Sequence, residues 1–413
     1  MVTELRQLPR GLAPLADESL PGYVLRLAHR LGTAPGDIAA RTGLSERPAG
    51  LLPLGFLHAV GTDTAQVFAQ VTRLTPDEVS GLGLATLSPR YGPLDLSHTP
   101  QKVTRSVINN NPWAYFRSTR YCPHCLAGDG SEIQQRHGGP WQRLWRLPVV
   151  FACLKHRCFL RHRCPACDQL VQFTARTRSL IPRPGDGSLH PAQCRSNAGS
   201  ARSDQAPACG YSLDGPLPDR SGLLDDQSRG ELLRVQHRLV TLLTAPDLDT
   251  THSIGTPVSI SHYFMDLRTL MALIFASWPT GRTYAATPGL ASALDTEAER
   301  RHKAYRDLQA KPGKRHHSRA YSAPPDDALV TGAVLGIAET FLGIQNHDAA
   351  TKRLFPLVFQ SINRDPAASY YLRAMRRGTS PTLQAALHVD RRKGSLRAHA
   401  RAGGSSTTQV SNH

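Results

Sequence analysis

The chain has 413 residues, which is enough for two to four domains of about 100–200 residues each. Hydrophobic residues make up 40% of the sequence and aromatic residues only 6%, a balance that predicts small cores. Lys and Arg exceed Asp and Glu by 17 and the pI is near 9.9, so the partner that the charge favours is a polyanion, most simply nucleic acid. The first residues contain no apolar signal-peptide core, and the most apolar stretch is too short for a bilayer. We therefore expect a soluble, cytoplasmic protein without membrane partners.

The N-terminal part, residues 15–112, is predicted to be helical. Apolar residues recur at helical spacing between Leu20 and Leu31, and Gly32 ends that pattern. A short second helix is expected within 33–44 and a third within 65–74. A fourth begins at Thr75, where Glu78 completes a capping box. Helix pairs of this kind are compatible with helix-turn-helix modules, and the pattern alone fits a small helical bundle even better.

Residues 113–215 contain all 8 cysteines of the chain. No long helical period is visible there, so short strands and metal-binding knuckles are predicted, with metal replacing a core too small to be stable alone. Clustered cysteines in a reducing compartment indicate metal ligation rather than disulfide bonds.

The cysteine spacing predicts two structural zinc ions. Two C-x₂-C knuckles and one C-x₂-H pair occur, and each such pair can provide two ligands of a tetrahedral ion. Sequential pairing gives a first site of Cys122, Cys125, Cys153 and His156, and a second site of Cys164, Cys167, Cys194 and Cys209. Four protein ligands leave no position for water, so neither ion is expected to be catalytic.

The cysteines allow three other interpretations. A cross-braced arrangement is disfavoured because Cys194 and Cys209 lack the knuckle spacing. A thioredoxin-type redox role requires a βαβ pattern that is not evident here. Cys158 could replace His156 as a ligand, but the C-x₂-H spacing favours His156 and makes Cys158 a buried thiol.

Basic residues interleave with aromatic residues around the knuckles. Residues 101–203 contain 16 Lys or Arg and only 4 Asp or Glu. The tryptophans are expected in the small core of the zinc module, whereas the basic cluster favours contacts with DNA phosphates. The predicted DNA-binding residues are Arg117, Arg120, Arg143, Arg146, Lys155, Arg157, Arg161 and Arg163.

The C-terminal part, residues 216–393, is predicted to be a second helical domain. Helices are expected around 232–243, 263–278, 326–344 and 352–362. Residues 296–325 are polar, basic and interrupted by proline, which predicts a mobile linker. Residues 394–413 are predicted to be a disordered tail. The overall expectation is a mainly α protein with small zinc-ribbon β elements.

Several sequence strings resemble the TniQ family of transposition accessory proteins. RYCPHCL followed by WQRLWRLPVVFACLKHRCFLRHRCPAC resembles its zinc-binding domain, with a CPxC, a W-x-L, a C-x₂-H and a second CPxC in order. DESLPGYVLRLAHRLG and TRLTPDEVSGLGLATL resemble its N-terminal helix-turn-helix portion. The resemblance covers about residues 15–215. Two departures are Gly22, where the family often has serine, and the long gap between Cys194 and Cys209.

The resemblance implies a non-catalytic adaptor that selects DNA for transposition. Proteins of this family recruit an AAA+ ATPase, which in turn licenses the transposase. Some relatives dock on an RNA-guided complex, and some form dimers. Two alternatives are a zinc-ribbon transcription regulator and a metal-dependent nuclease. The sequence lacks a Walker A motif, H-E-x-x-H and G-x-S-x-G, so we expect no enzymatic activity.

Overall fold

The computed structural model describes residues 7–9, 11–45, 50–95, 111–173, 179–197, 206–215, 224–310, 319–364 and 377–388. Helices dominate these ranges, and two small antiparallel sheets of two strands each accompany them. The predicted fold class, mainly α with small β elements at the cysteines, is therefore confirmed. The predicted tail at 394–413 lies outside the described residues.

Four short helices lie in the described residues of the N-terminal part, and their ends follow the sequence signals. The side chain of Ser19 caps the first helix, and Gly32 ends it in the left-handed conformation at φ 62°. Thr75 and Glu78 form the predicted capping box. The helices are α1 (Leu20–Leu31), α2 (Pro35–Arg41), α3 (Thr62–Thr72) and α4 (Pro76–Gly81), with 3₁₀ turns at Leu54–Leu57, Ala85–Leu87 and Gly92–Leu94.

The cysteine-containing part has little regular structure, as the sequence predicts. Its elements are α5 (Pro123–Ala127), α6 (Glu132–His137), a 3₁₀ turn at Arg143–Arg146, β1 (Ala152–Cys153) and β2 (Cys158–Phe159). The two strands form an antiparallel hairpin in which Cys153 lies opposite Cys158. Trp113, Trp141 and Trp145 are all buried, so the expectation that the tryptophans form the core of this module is confirmed.

The C-terminal part is built around one central helix. The elements are α7 (Asp226–Thr244), β3 (Thr250–Ser253), β4 (Thr256–Ser259), α8 (Ile260–Ala276), a 3₁₀ turn at Thr280–Tyr284, α9 (Pro288–Gln309), α10 (Arg319–Ser322), α11 (Ala328–Leu342), α12 (His347–Arg364) and α13 (Pro381–Ala386). Helix α8 is buried on nearly every side, as expected for a predominantly apolar helix, and the completely buried Asp266 lies within it.

The prediction of a mobile linker over 296–325 is wrong for most of that range. Residues 296–309 belong to the long helix α9, and α10 and the start of the next loop follow at 319–325. One face of α9 is buried through Leu294, Ala298 and Tyr305, which recur at helical spacing. Arg301 occupies the same face and is almost completely buried, because its guanidinium lies over the ring of Phe275 at 4.2 Å. Residues 311–318 lie outside the described residues.

The three parts of the chain share one continuous buried core, which extends from Leu8 to Leu387. The hydroxyl of Tyr91 donates to the carbonyl of Trp113, and the indole of Trp113 donates to the carbonyl of Ser322. The sequence predicts domain boundaries at 112/113 and 215/216. Because the buried core includes residues on both sides of each boundary, these boundaries remain a proposal about which parts of the chain fold as units.

Helix α1 packs very closely on the cysteine-containing part at Gly22. A Cβ atom at this position would lie 2.7 Å from Cβ of Trp141 and 3.1 Å from its carbonyl oxygen. The backbone N–H of Ser19 donates to that same carbonyl at 2.8 Å. Glycine is therefore required at position 22 by the approach of two backbones.

Within the described ranges, every helix is too short or too polar to cross a lipid bilayer.

Candidate metal centres and basic surface

The structure brings the first predicted ligand set together, and we call this set metal cluster one. Cys122 precedes helix α5 and Cys125 lies within it, while Cys153 and His156 come from the β1–β2 hairpin. Nδ1 of His156 lies 3.5, 3.3 and 3.4 Å from the sulfurs of Cys122, Cys125 and Cys153. Arg157 adopts φ 52° just before β2, which closes the tight turn that aims His156 at the three thiols.

The second predicted set, metal cluster two, is also assembled. Cys164 and Cys167 form a knuckle. The sulfur of Cys164 lies 3.8 Å from that of Cys209, and the sulfur of Cys167 lies 3.8 Å from that of Cys194. Cys194 and Cys209 lie on two paired arms, since bridges join Gln193 to Ser212 and Asn197 to Ala208. The two cysteines therefore lie on adjacent antiparallel arms, and residues 198–205 between the arms lie outside the described residues.

Both clusters have the dimensions of a tetrahedral zinc site. Within each set, all ligand atoms lie within 4.8 Å of one another. A zinc–sulfur bond of about 2.3 Å places two sulfurs of a tetrahedron about 3.8 Å apart, and the measured sulfur–sulfur distances are 3.6–3.8 Å. A disulfide bond requires a sulfur–sulfur distance of about 2.05 Å. The grouping is sequential, and the cross-braced alternative is not what the structure contains.

The protonation chemistry of cluster one fits a cation. Hydrogen bonds with Cys125 and Cys153 lower the pKa of Cys122, and the contact with Cys122 raises the pKa of Cys125. One thiolate is thus stabilised only while its neighbours keep their protons. A divalent cation removes this conflict because it stabilises several thiolates at once. The four protein ligands would hold such an ion in a structural role.

Cys158 lies beside cluster one but outside the set of four. Its sulfur is 3.7 Å from that of Cys122. The residue is partly buried, so the expectation of a buried thiol is met only in part. It occupies β2, where its partner across the hairpin is Cys153.

Two of the eight predicted DNA-binding residues are buried and cannot reach a phosphate in this fold. Arg120 is completely buried, and Nη1 donates to the carbonyls of Pro148 and Val150 at 2.9 and 3.0 Å. Arg146 is 2% exposed and donates to the carbonyls of Tyr115 and Ser118. Burial lowers the pKa of Arg146 to about 9. Their guanidinium groups satisfy loop carbonyls, so the prediction that these two bind DNA is corrected.

Arg143 also has a structural environment. Its side chain is 16% exposed and forms an ion pair with Asp17 at 3.3 Å. It also donates to the hydroxyl of Thr86 at 2.7 Å. These contacts join the cysteine-containing part to Asp17, which precedes α1, and to Thr86, which follows α4. They leave few hydrogen-bond donors of this guanidinium for DNA.

The remaining five predicted residues reach solvent. Lys155, Arg157 and Arg163 are exposed, and Arg117 and Arg161 are partly exposed. Arg163 forms an exposed ion pair with Asp168 at 3.3 Å, a contact of low strength that a phosphate could replace. We call these five residues the basic surface.

A histidine cluster lies between α1 and the cysteine-containing part, and no sequence pattern predicts it. Nδ1 of His29 lies 2.9 Å from Nδ1 of His137, and the rings of His29 and His190 are 4.9 Å apart at centroid. The three come from α1, from the end of α6 and from the loop before Cys194. Because they are separated by up to 161 positions in the chain, only tertiary structure reveals them.

Comparison with known proteins gives one family. The TniQ family model matches residues 9–160, which include helices α1–α4, all of metal cluster one and the β1–β2 hairpin. Cluster two lies outside the matched residues. The match supports assignment of the chain to the TniQ family and, through it, a transposition-associated accessory role. No curated protein matches the chain.

Proposed function

We propose that this chain is a non-catalytic adaptor that targets DNA for transposition, recruits an AAA+ ATPase and acts through it on a transposase. The observation that carries the proposal is the TniQ match over residues 9–160. These residues fold together with two metal clusters that each use four protein ligands. Two zinc ions held in this way would stabilise the fold without offering a site for hydrolysis.

The basic surface is the proposed DNA contact. Lys155 and Arg157 flank His156 in the turn between β1 and β2. A metal ion bound at cluster one would therefore fix their positions relative to Arg161 and Arg163. Phosphate contacts of this kind give sequence-independent affinity that weakens as salt rises. They position the protein on a duplex and do not by themselves specify a sequence.

The ATPase contact is proposed on the N-terminal helices. The exposed side of α3 includes Gln66 and Gln70, one helical turn apart. Deleting residues 1–90 would not test this, because α1 covers Trp141 and shares the core of the metal-binding part. Point substitutions on α3 leave that packing intact.

The test is recruitment of the ATPase of the same transposition system to DNA by the full chain. Gln66→Arg with Gln70→Arg should abolish recruitment while metal content and DNA affinity stay unchanged. The matched control is Gln227→Arg with Gln309→Arg, since both glutamines are exposed on the C-terminal helices. Recruitment that persists in the α3 variant moves the contact elsewhere. A wild-type chain that binds DNA tightly but recruits no ATPase favours a transcription regulator instead.

A further inference from the structure

The C-terminal helices enclose a groove that the transposition role does not use. It is a cavity of about 480 Å³ between α7, the residues before α9, α9 itself and α11. Its walls include Leu232, Leu290, Leu294 and Ile337, and its floor includes Gly336. A volume in this range with mainly apolar walls is typical of a ligand-binding site. We call it the C-terminal groove.

The charged groups of the C-terminal groove come from helices α7 and α11. Glu339 is 12% exposed and forms an ion pair with Arg238 at 3.4 Å, and it accepts a hydrogen bond from Tyr263. Arg238 is 48% exposed, and Arg234, one turn earlier on α7, is 77% exposed. Glu231 is 38% exposed and lies 3.9 Å from Arg234. The arginines thus extend further into solvent than the carboxylates beside them.

We propose that the C-terminal groove binds a short segment of a protein partner, in which a large apolar side chain stands next to an Asp or Glu. The apolar side chain fills the cavity above Gly336, and the acidic group meets Arg234 and Arg238. The proposal goes beyond DNA targeting and does not depend on it.

The chemistry of the groove favours this occupant over nucleic acid. The walls are mainly aliphatic, and Tyr284 is the one aromatic residue among the lining residues, whereas single-stranded nucleic acids stack on a series of aromatic side chains. Glu231 and Glu339 stand beside the arginines and would repel a run of phosphates, but they permit one carboxylate placed at the exposed end of the guanidinium groups. An apolar anchor with a polar rim is the usual anatomy of a peptide-binding hot spot.

Substitution of Gly336 by a larger residue is expected to fill the groove without disturbing the packing around it. A Cβ atom at this position meets only Leu232, at an ordinary contact distance of 3.4 Å. A larger residue would extend into the cavity, and replacing glycine within α11 favours the helix. Gly230 on α7 is the matched control, because a Cβ atom there meets nothing within 4 Å and the residue does not line the groove.

The experiment selects peptides from a phage-displayed library of short random sequences on the full zinc-loaded chain, with Gly336→Phe as the counter-selection. Enriched peptides should pair a large apolar residue with an adjacent acid. Their synthetic forms should bind Gly336→Phe about 10- to 100-fold more weakly, which corresponds to burial of one large apolar side chain. Gly230→Phe should bind like the wild type. Arg234→Glu should weaken binding as well, because it reverses the most exposed charge.

Three results overturn the proposal. The first is a selection that returns no sequence dependent on Gly336, and the second is a selection that returns basic sequences instead of acidic ones. The third is a wild-type chain that sediments as a dimer while Gly336→Phe is a monomer, since the groove would then be filled by a second copy. Circular dichroism and metal content, equal in all variants, exclude misfolding as the cause.

Discussion

Nη2 of Arg120 donates a 2.7 Å hydrogen bond to Oγ1 of Thr331, a residue 211 positions later in the chain. The same guanidinium donates to the carbonyls of Pro148 and Val150, which precede strand β1. A single buried side chain therefore connects the start of metal cluster one, the approach to its hairpin and the first turns of helix α11. Gln236 on α7 makes a second connection, since its side-chain oxygen accepts from the N–H of Phe151 at 2.5 Å.

Arg120→Ala should destabilise the fold strongly. The change leaves several buried carbonyls without donors, so the free energy of unfolding should fall by about 3 kcal/mol or more. Urea titration in the presence of zinc measures this. Thr331→Val is the control, because it removes one hydroxyl and should cost about 1 kcal/mol. If Arg120→Ala instead kept full stability and lost DNA affinity, the structural role described for Arg120 would be wrong.

The purified chain should contain two zinc ions. Cys122→Ser should lose the ion of cluster one, and Cys164→Ser should lose that of cluster two, because each removes one of four ligands. Elemental analysis counts the ions. Cys158→Ser serves as the control and should retain both, since the sulfur of Cys158 is adjacent to Cys122 but outside the ligand set. A wild-type chain with one ion or none contradicts the two-site assignment.

DNA binding should depend strongly on salt. If about six phosphates are contacted, log K should fall against log salt with a slope near −5, from about −0.9 per phosphate. Arg161→Ala with Arg163→Ala should flatten the slope by up to about two. Arg306→Ala, at an exposed arginine of α9, should not change it. An unchanged slope in the double variant would place the contact elsewhere, for instance at Arg391, Arg392 and Lys393.

Thermal stability should fall as the pH falls below about 6.5, partly through the histidine cluster. Burial lowers the pKa of His29 and His190, and it lowers that of His137 to about 4. The charges of His29 and of the nearby Arg30, Arg26 and Arg136 lower the pKa of His137 further. At His190, the charge of Asp214 and a backbone hydrogen bond with Arg136 act in the opposite direction, but burial outweighs them. The folded state therefore binds fewer protons than the unfolded state, and its stability is lost as the pH falls toward these lowered values.

The measurement for this prediction compares the melting temperature of the wild type with that of His137→Gln at about pH 7.5 and pH 5.5. The loss on acidification should be smaller in the variant, because one of the three proton-binding sites is gone. Protonation of the zinc ligands affects both proteins equally and cancels in the comparison. An equal loss in both would show that the cluster does not contribute.

Local signals in the sequence predicted the parts of the structure that are determined locally. The capping box at Thr75, the glycine that ends α1 and the paired knuckles all describe contacts between residues near one another in the chain. The linker prediction failed because the buried face of α9 carries Arg301, a charged residue. It is accommodated by an ion pair with Glu297 and by contacts with Phe275 and the carbonyls of Ala320 and Tyr321. The prediction that Arg120 and Arg146 bind DNA failed for the same reason, because tertiary contacts bury both side chains. Composition counts their charges, but only the fold determines whether those charges reach solvent.

The contact of Gly22 with Trp141 links two positions that are 119 residues apart. A serine at position 22 would place its Cβ against the tryptophan, and the space could be recovered only if α1 moved or the backbone at 141 shifted. The two positions should therefore change together in evolution: chains with serine at the first should differ in backbone path or side chain at the second. Grafting α1 from such a relative onto this chain would fail unless the segment around position 141 were transferred with it.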